Sequence, residues 1–267
     1  MEGDKKINFE LLKNMEDFIS SFVRTMPKQG HEQWMAKLGR MGMMFQEAEH
    51  QMVKQGFRKA AIIHVDQNNL EEMWEKINKD KLVFTPILKS GYYEGFAHKH
   101  KAVVPGEPFF WYGSLTRTYE DGQKFKKAEK EQHHNTIGLL LGYPECCSKY
   151  FTKNFPINYD PIWLGKEGKV TGYPECNQML RYFGARITSH FSCSPTCEAT
   201  RKIGQLWFKV MKGIDKDSAK ELYDLLAGPI TWDSYHGVVQ VETPYFVGLT
   251  HTFPLIEKPR IIEWKGK

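Results

Sequence analysis

Two short stretches carry most of the cysteines in this sequence and predict how its second half folds. Residues 141–147 read LGYPECC, and residues 190–197 read HFSCSPTC. Proline is favoured in the first turn of a helix. Pro144 therefore places Cys146 and Cys147 in the opening turn of one helix. Pro195 does the same for Cys197 at the start of a second helix.

Helix starts of this kind suit anionic sulfur ligands. The first turn of a helix offers unpaired N–H groups and the positive end of the helix dipole, and both lower the pKa of a thiol. Two such helix starts directed at one centre would make a four-thiolate site. We therefore predict a metal site whose ligands are Cys146, Cys147, Cys193 and Cys197.

The spacing of these cysteines leaves two kinds of centre open. Structural zinc usually takes two Cys-x2-Cys pairs, whereas the pairs here are Cys-Cys and Cys-x3-Cys. Adjacent cysteines splay apart, and an iron–sulfur cluster accepts varied spacings more easily than a single ion does. The spacing therefore favours a cluster over zinc. His190 is a candidate to replace one cysteine, and Cys176 is a candidate alternate ligand.

The cysteines also have two interpretations without a metal. Free cysteine is among the most buried residue types, so these thiols could be core residues, and Cys176 fits that description best. The other interpretation is a redox pair or a nucleophilic cysteine. Cys147 or Cys197 would then be the activated thiol, with His134 or His190 as its base.

A polar strand near the C-terminus supplies further candidate site residues. Residues 232–244 read WDSYHGVVQVETP. If residues 236–243 are extended, His236, Gln240 and Glu242 share one face of the strand. We predict acid–base or substrate-orienting roles for His236 and Glu242, with His134 as a third candidate catalytic residue. A solvated surface strand is the alternative.

The three quoted blocks together resemble a family of uncharacterised prokaryotic and phage proteins. That family carries LGYPxCC, HxxCxxxC and WxxxHG-like blocks in the same order, and the resemblance covers about residues 130–250. It implies that His236 and the cysteines of the first two blocks belong to one site. It implies no particular reaction, and Cys176 lies outside the pattern.

The remaining segments predict an α+β protein. Helical periodicity covers residues 9–26 and 31–55, strand-like runs cover 59–65 and 82–88, and later helices cover 121–141, 195–212 and 218–226. Pro86 pushes its strand toward a sheet edge. We expect a helical N-terminal region on a small mixed sheet, and a cysteine-rich helical region closing on C-terminal strands. The predicted regions are residues 1–120 and 121–267, which could form one continuous domain.

Composition narrows the class of protein. Hydrophobic residues make up 41% and aromatic residues 13% of the 267 positions, enough for a packed core. The opening residues lack a secretory apolar segment, and the longest apolar runs are too short to cross a bilayer. We therefore expect a cytoplasmic protein with no membrane partner. In such a compartment, five cysteines are expected to be metal-binding, catalytic or simply buried rather than disulfide-bonded.

Three classes of function fit these features. The leading hypothesis is a metalloenzyme with an iron–sulfur or zinc centre beside the polar strand, acting on a small molecule. A nucleobase or nucleotide is suggested by the net charge of +5 and the aromatic content. The alternative is a nucleic-acid- or partner-binding module with a purely structural metal, and a metal-free thiol redox protein is a third option. The sequence does not indicate an oligomeric state.

The two leading hypotheses differ in what they predict around the cysteines. An enzyme predicts a concave polar pocket at the metal site, with His236 inside it. A nucleic-acid-binding module predicts a closed metal site and a basic surface elsewhere, with binding that weakens steeply as salt rises.

Overall fold

Two sheets with helices packed against them make up the fold. The computed structural model describes residues 23–92, 100–158, 162–163, 165–235, 238–251 and 259–267. The helices are α1 (Trp34–Lys54), α2 (Leu70–Lys79), α3 (Tyr119–Lys130), α4 (His134–Leu140), α5 (Glu145–Asn158), α6 (Glu198–Ile214) and α7 (Lys216–Ala227). The strands are β1 (Val23–Pro27), β2 (Ala60–Asp66), β3 (Val83–Gly91), β4 (Phe109–Thr116), β5 (Gly168–Gly172), β6 (Ile230–Tyr235), β7 (Val238–Glu242), β8 (Phe246–His251) and β9 (Arg260–Gly266). The predicted α+β class is confirmed.

The smaller sheet has three strands in the order β2-β4-β3. β4 runs antiparallel to both neighbours, so β2 and β3 are parallel to each other with β4 between them. α2 covers one face, where the buried side chains are Val53, Ala61, Ile77, Leu82 and Leu115. α3 and α4 cover the other face, around Ala60, Phe125, Leu140 and Leu141. Pro86 lies in the edge strand β3, as predicted.

The larger sheet has six strands in the order β1-β8-β7-β6-β9-β5. Its neighbouring strands are antiparallel except for β5 and β9, which are parallel. The mixed sheet is therefore the C-terminal one, whereas neighbouring strands of the small sheet are all antiparallel. This sheet and the helices α6 and α7 support the segment that carries the second pair of cysteines.

The main hydrophobic core joins α1 to the C-terminal elements. The predicted apolar face of α1 is buried there, including Trp34, Met41 and Phe45. These side chains belong to the same cluster as Trp207 of α6 and Trp232 of β6. Most of the methionines of α1 therefore serve the core. Elements on both sides of residue 120 share this core, and the division of the chain into two regions at that residue stays a prediction.

Two predicted helices differ from the structure. The helix predicted over residues 9–26 is wrong at its end, because residues 23–27 form β1 and pair with β8. Pairing with a sheet edge overrides the local periodicity there, and residues 9–22 lie outside the described residues. The single helix predicted over 121–141 is two helices, α3 and α4. Gln132 between them adopts a φ of 53°, which a continuous helix does not allow.

No helix in the part of the chain that the structure describes is both long enough and apolar enough to span a membrane.

Candidate metal centre

The four predicted cysteine ligands come together at the starts of two helices. Cys146 and Cys147 lie in the first turn of α5. Cys197 is the N-cap residue of α6, where its side chain accepts a hydrogen bond from the N–H of Thr200. Cys193 lies on the short segment that leads into the same helix. The helix starts predicted from the two prolines are therefore present, and they converge.

The sulfur atoms are close enough to share one ion. The Sγ of Cys146 lies 3.9 Å from that of Cys147 and 3.8 Å from that of Cys197. The Sγ atoms of Cys147 and Cys197 are 3.8 Å apart. All four sulfur atoms, including that of Cys193, lie within 4.8 Å of one another. The four cysteines could therefore hold a metal ion, as the sequence predicted, and thiolates are the donors that soft metals prefer.

The environment of each thiol decides how readily it ionises. All five cysteines are free thiols, and Cys147 and Cys197 are buried while Cys146 is exposed. Burial raises the pKa of Cys147 and raises that of Cys193 to about 12. Burial also opposes ionisation of Cys197, but hydrogen bonds from Thr200 outweigh it and lower the pKa to about 7. An ion that binds here must displace the remaining thiol protons.

A buried chain of polar contacts links Cys147 to Thr200 and then to His190. The Thr200 hydroxyl oxygen lies 3.2 Å from the Sγ of Cys147 and 2.9 Å from the Nε2 of His190. Burial, with Arg181 and Arg58 nearby, lowers the pKa of His190 to about 3, so the ring is neutral. His190 is not among the four clustered residues, and its ring lies on the far side of Thr200 from Cys147. Partners of this kind orient metal ligands and tune their basicity.

Cys176 is a buried thiol beside the centre. It lies in a short 3-10 turn and packs against Cys147 and Cys197. Its Sγ donates to the carbonyl oxygen of Cys197 at 3.5 Å, and burial raises its pKa to about 12. It is not one of the four clustered sulfur atoms. These features match the interpretation of Cys176 as a core residue.

A cavity of about 260 Å³ lies against Cys147. Its polar lining consists of Glu129, Gln132, His134, Tyr143, Ser148, Arg181, Ser189 and His190. Its apolar lining includes Ile62, Ile137, Leu141, Phe151 and Phe191. The structure thus brings His134, one of the three predicted catalytic residues, to the same cavity as a metal-ligand candidate.

Glu242, a second predicted catalytic residue, does not line this cavity in the described structure. Glu242 lies on β7, whose residues alternate between exposed and buried, and its Oε1 is 2.7 Å from the Nζ of Lys28. His236 lies outside the described residues. Catalytic roles for all three residues stay predictions.

Sequence reasoning missed a cluster of charges behind the cavity. Arg58, Arg181 and Arg186 lie near one carboxylate, that of Glu49, whose pKa is raised by burial against the opposing effect of the arginines. The Nη1 of Arg58 is 3.3 Å from Glu49 Oε1. The only sequence signal was two arginines set among apolar residues at 181–187. Their placement depends on tertiary packing, which no local motif reports.

No protein-family model, no curated protein and no solved structure matches this chain. The resemblance to a family with LGYPxCC, HxxCxxxC and WxxxHG-like blocks therefore stays a prediction. The chemistry of the site has to be argued from its own geometry.

Proposed function

We propose that this protein is a zinc metalloprotein whose four-thiolate centre forms one wall of a small-molecule site. The sulfur separations carry the proposal. Four thiolates at about 2.3 Å from one zinc ion define a tetrahedron with edges of about 3.8 Å. The three separations among Cys146, Cys147 and Cys197, of 3.8, 3.8 and 3.9 Å, match those edges, and the Sγ of Cys193 lies within 4.8 Å of each.

The same separations argue against the cluster that cysteine spacing favoured. A cubane iron–sulfur cluster interposes iron and sulfide between its thiolates, so it holds them further apart than a single ion does. The splay expected of adjacent cysteines is also small here, since the Sγ atoms of Cys146 and Cys147 are only 3.9 Å apart. Zinc is therefore the proposed metal, and a cluster is the alternative that metal analysis decides.

The proposed role of the ion is to fix the wall of the cavity. Four thiolates complete the coordination of zinc, which is the pattern of structural sites. When bound, the ion would cross-link the start of α5 to the start of α6. Cys147 and Ser148 are thereby held against the cavity. Any reaction would then be carried out by the other side chains that line the cavity, because the zinc ion has no open coordination position.

His134 is the proposed acid–base group of the cavity. It lies at the start of α4, with its ring centroid 5.8 Å from that of Phe151 in an edge-to-face arrangement. Histidine exchanges protons near neutral pH, and its position on the wall puts it within reach of a bound molecule. We therefore infer an enzyme that acts on a small molecule, with a nucleobase among the candidates because the volume suits a single ring system.

A nucleic-acid-binding module with a structural metal is the second candidate. One observation favours it: on the small sheet, the Nζ of Lys89 lies 4.7 Å from the ring centroid of Phe109 and 5.3 Å from that of Trp111. Aromatic rings beside a cation are how many proteins bind single strands. This candidate predicts oligonucleotide binding that falls steeply with salt, whereas a cavity enzyme requires none.

Metal analysis of anaerobically purified protein tests the proposal. Metal content, acid-labile sulfide and the visible spectrum are measured in the parent, in a Cys146→Ser/Cys197→Ser double variant and in Cys176→Ser. We expect one zinc per chain and no visible absorbance in the parent and in Cys176→Ser, which serves as the matched control. The double variant should carry none.

Two results would overturn the zinc assignment. A brown parent protein with iron and sulfide, lost in the double variant, would replace zinc with a cluster. A parent free of any metal would leave the four thiols as core or redox residues.

A further inference from the structure

Arg181 lines the cavity and carries a buried nitrogen, Nη1, without a hydrogen-bond partner in the described part of the chain. Its guanidinium lies 3.8 Å from the ring centroid of Phe191, which also lines the cavity and holds the group in place. A buried charged donor without a partner is unfavourable. This arrangement is expected where a ligand supplies the missing acceptor.

Ser148 brings a second unpaired group to the same cavity. Its Oγ is buried without a hydrogen-bond partner in the described part of the chain. Gly138 on α4 leaves the room for it, because a Cβ there would lie 2.5 Å from the Ser148 Oγ. Two residues that line one cavity, one on α5 and one in the turn at Arg181, thus each carry an unpaired polar atom.

The charge around the cavity favours an anion. Glu49 is one carboxylate near three guanidinium groups, those of Arg58, Arg181 and Arg186. Burial lowers the pKa of Arg186 only to about 10, so it keeps its charge at neutral pH. The carboxylate on the cavity wall, Glu129, accepts a hydrogen bond from Tyr112 and has its pKa raised by burial. Positive charge is therefore in excess behind the cavity.

We infer that the cavity binds the carboxylate of a small organic acid, held by Arg181 and Ser148. A guanidinium and a hydroxyl together suit a planar, singly charged acceptor. The apolar lining around Ile137, Leu141 and Phe151 suits a hydrophobic body rather than a bare inorganic ion. The inference rests on the proposed small-molecule site and names its ligand class.

Calorimetric titration with benzoate tests the inference on the zinc-loaded full chain at pH 7. Benzamide serves as the neutral probe of the same shape, and inorganic phosphate serves as the anion without an apolar body. We expect benzoate to bind the parent, and Arg181→Met to weaken that binding about 10- to 100-fold. Benzamide should bind the parent more weakly by a similar factor.

Arg186→Met is the matched control for Arg181→Met. Arg186 also belongs to the charge cluster, with its guanidinium 3.9 Å from the ring centroid of Phe45, but it is not among the described residues that line the cavity. Because Arg186 would act only through its charge at a distance, its substitution should weaken benzoate binding much less than Arg181→Met does. Zinc content and thermal melting of each variant establish that it is folded. If Arg181→Met does not fold, the comparison of benzoate with benzamide on the parent decides.

The outcomes separate this inference from the zinc proposal. No benzoate binding to a zinc-loaded parent would overturn the carboxylate site and leave the metal centre intact. Equal affinity for benzoate and benzamide, or tighter binding of phosphate, would also overturn it. Benzoate binding by a parent that holds no zinc would support the carboxylate site and refute the zinc centre.

Discussion

The hydroxyl oxygen of Thr200 lies 3.2 Å from the Sγ of Cys147. A thiolate only accepts hydrogen bonds, so the Thr200 hydroxyl donates its one proton to a sulfur atom once that sulfur is ionised, either to Cys147 or to Cys197, whose pKa it lowers. The same oxygen lies 2.9 Å from the Nε2 of His190, which leaves it only the role of acceptor there. With the sulfur ionised, His190 therefore carries its proton on Nε2. The hydrogen bonds are therefore donated in one direction, from His190 to Thr200 and from Thr200 to the ionised sulfur.

Replacing the hydroxyl of Thr200 should weaken metal binding. In Thr200→Val, the Cys147 sulfur loses a donor and the buried Nε2–H of His190 loses its acceptor, while the side-chain shape is kept. We expect zinc affinity to fall about 10- to 100-fold, measured by competition with a chromophoric chelator. Thr196→Val is the control, because Thr196 is exposed on the same segment. Equal affinity in both variants would show that the hydroxyl does not support the centre.

The protonation state of His190 is open to direct measurement. Its folded-state pKa of about 3 lies below the unfolded value of about 6.5. The unfolded state therefore binds more protons between these values, so the stability gained from the neutral ring is complete above pH 6.5 and declines as the pH falls toward 3. Nitrogen-15 NMR should show the Nε2–H tautomer without titration from pH 5 to 8. A midpoint near pH 6 would contradict the buried hydrogen-bond chain.

An ion pair at the end of α2 should give the fold a second pH dependence. Asp80 lies 2.7 Å from His50 Nε2 and 2.8 Å from Lys54 Nζ. Burial alone would raise its pKa, but hydrogen bonds from Lys54 and His50 outweigh burial and lower the pKa below 3.8. The carboxylate therefore stabilises the fold above about pH 4, and this stabilisation is lost as the pH falls through the folded-state pKa.

Asp80→Asn measures that contribution. We expect the free energy of unfolding in urea to fall by about 2 kcal/mol at pH 7, and the difference from the parent to shrink below pH 4. Glu75→Gln is the control, since Glu75 is exposed on the same helix and should change stability by less than about 0.5 kcal/mol. A difference that is constant down to pH 2.5 would mean that the charge of Asp80 does not contribute.

Local sequence signals predicted the features of the site that depend on a few neighbouring residues, namely the two helix starts that carry cysteines. Pro144 and Pro195 marked two helix starts, and the cysteines beside them did converge. Sulfur separations could not be read from residue spacing, because they depend on how α5 and α6 meet. They support the proposal of zinc in place of the cluster that residue spacing favoured. Arg181 was missed for the same reason, since its unpaired nitrogen results from packing.

Pairing between strands that are far apart in the sequence was a second feature that the sequence did not predict. β1 pairs with β8, more than 200 residues later in the sequence, and its own residues show only a weak helical period. The alternating pattern of β7 was visible, since the exposed Gln240 and Glu242 share the face that was predicted. Whether such a face meets solvent or a substrate depends on neighbours that the strand itself does not specify.

Gly172 should be needed to hold the second cysteine pair in place. It ends β5, and a Cβ there would lie 2.3 Å from the carbonyl oxygen of Pro195 and 2.5 Å from the ring of Trp264. The N–H of Tyr173 donates to the same carbonyl at 2.9 Å. Because Pro195 lies between Cys193 and Cys197, its backbone cannot retreat without moving those two sulfur atoms.

Gly172→Ala should therefore lower both stability and zinc affinity. We expect a loss of about 2 kcal/mol in the free energy of unfolding, as for other overpacked sites, together with a weaker zinc competition curve. Gly39→Ala is the matched control, because Gly39 is exposed on α1 and a Cβ there would meet no described atom within 4 Å. Alanine there should raise stability by up to about 1 kcal/mol and leave zinc affinity unchanged. If Gly172→Ala melts earlier yet binds zinc as the parent does, the contact with Pro195 supports the sheet but not the metal centre.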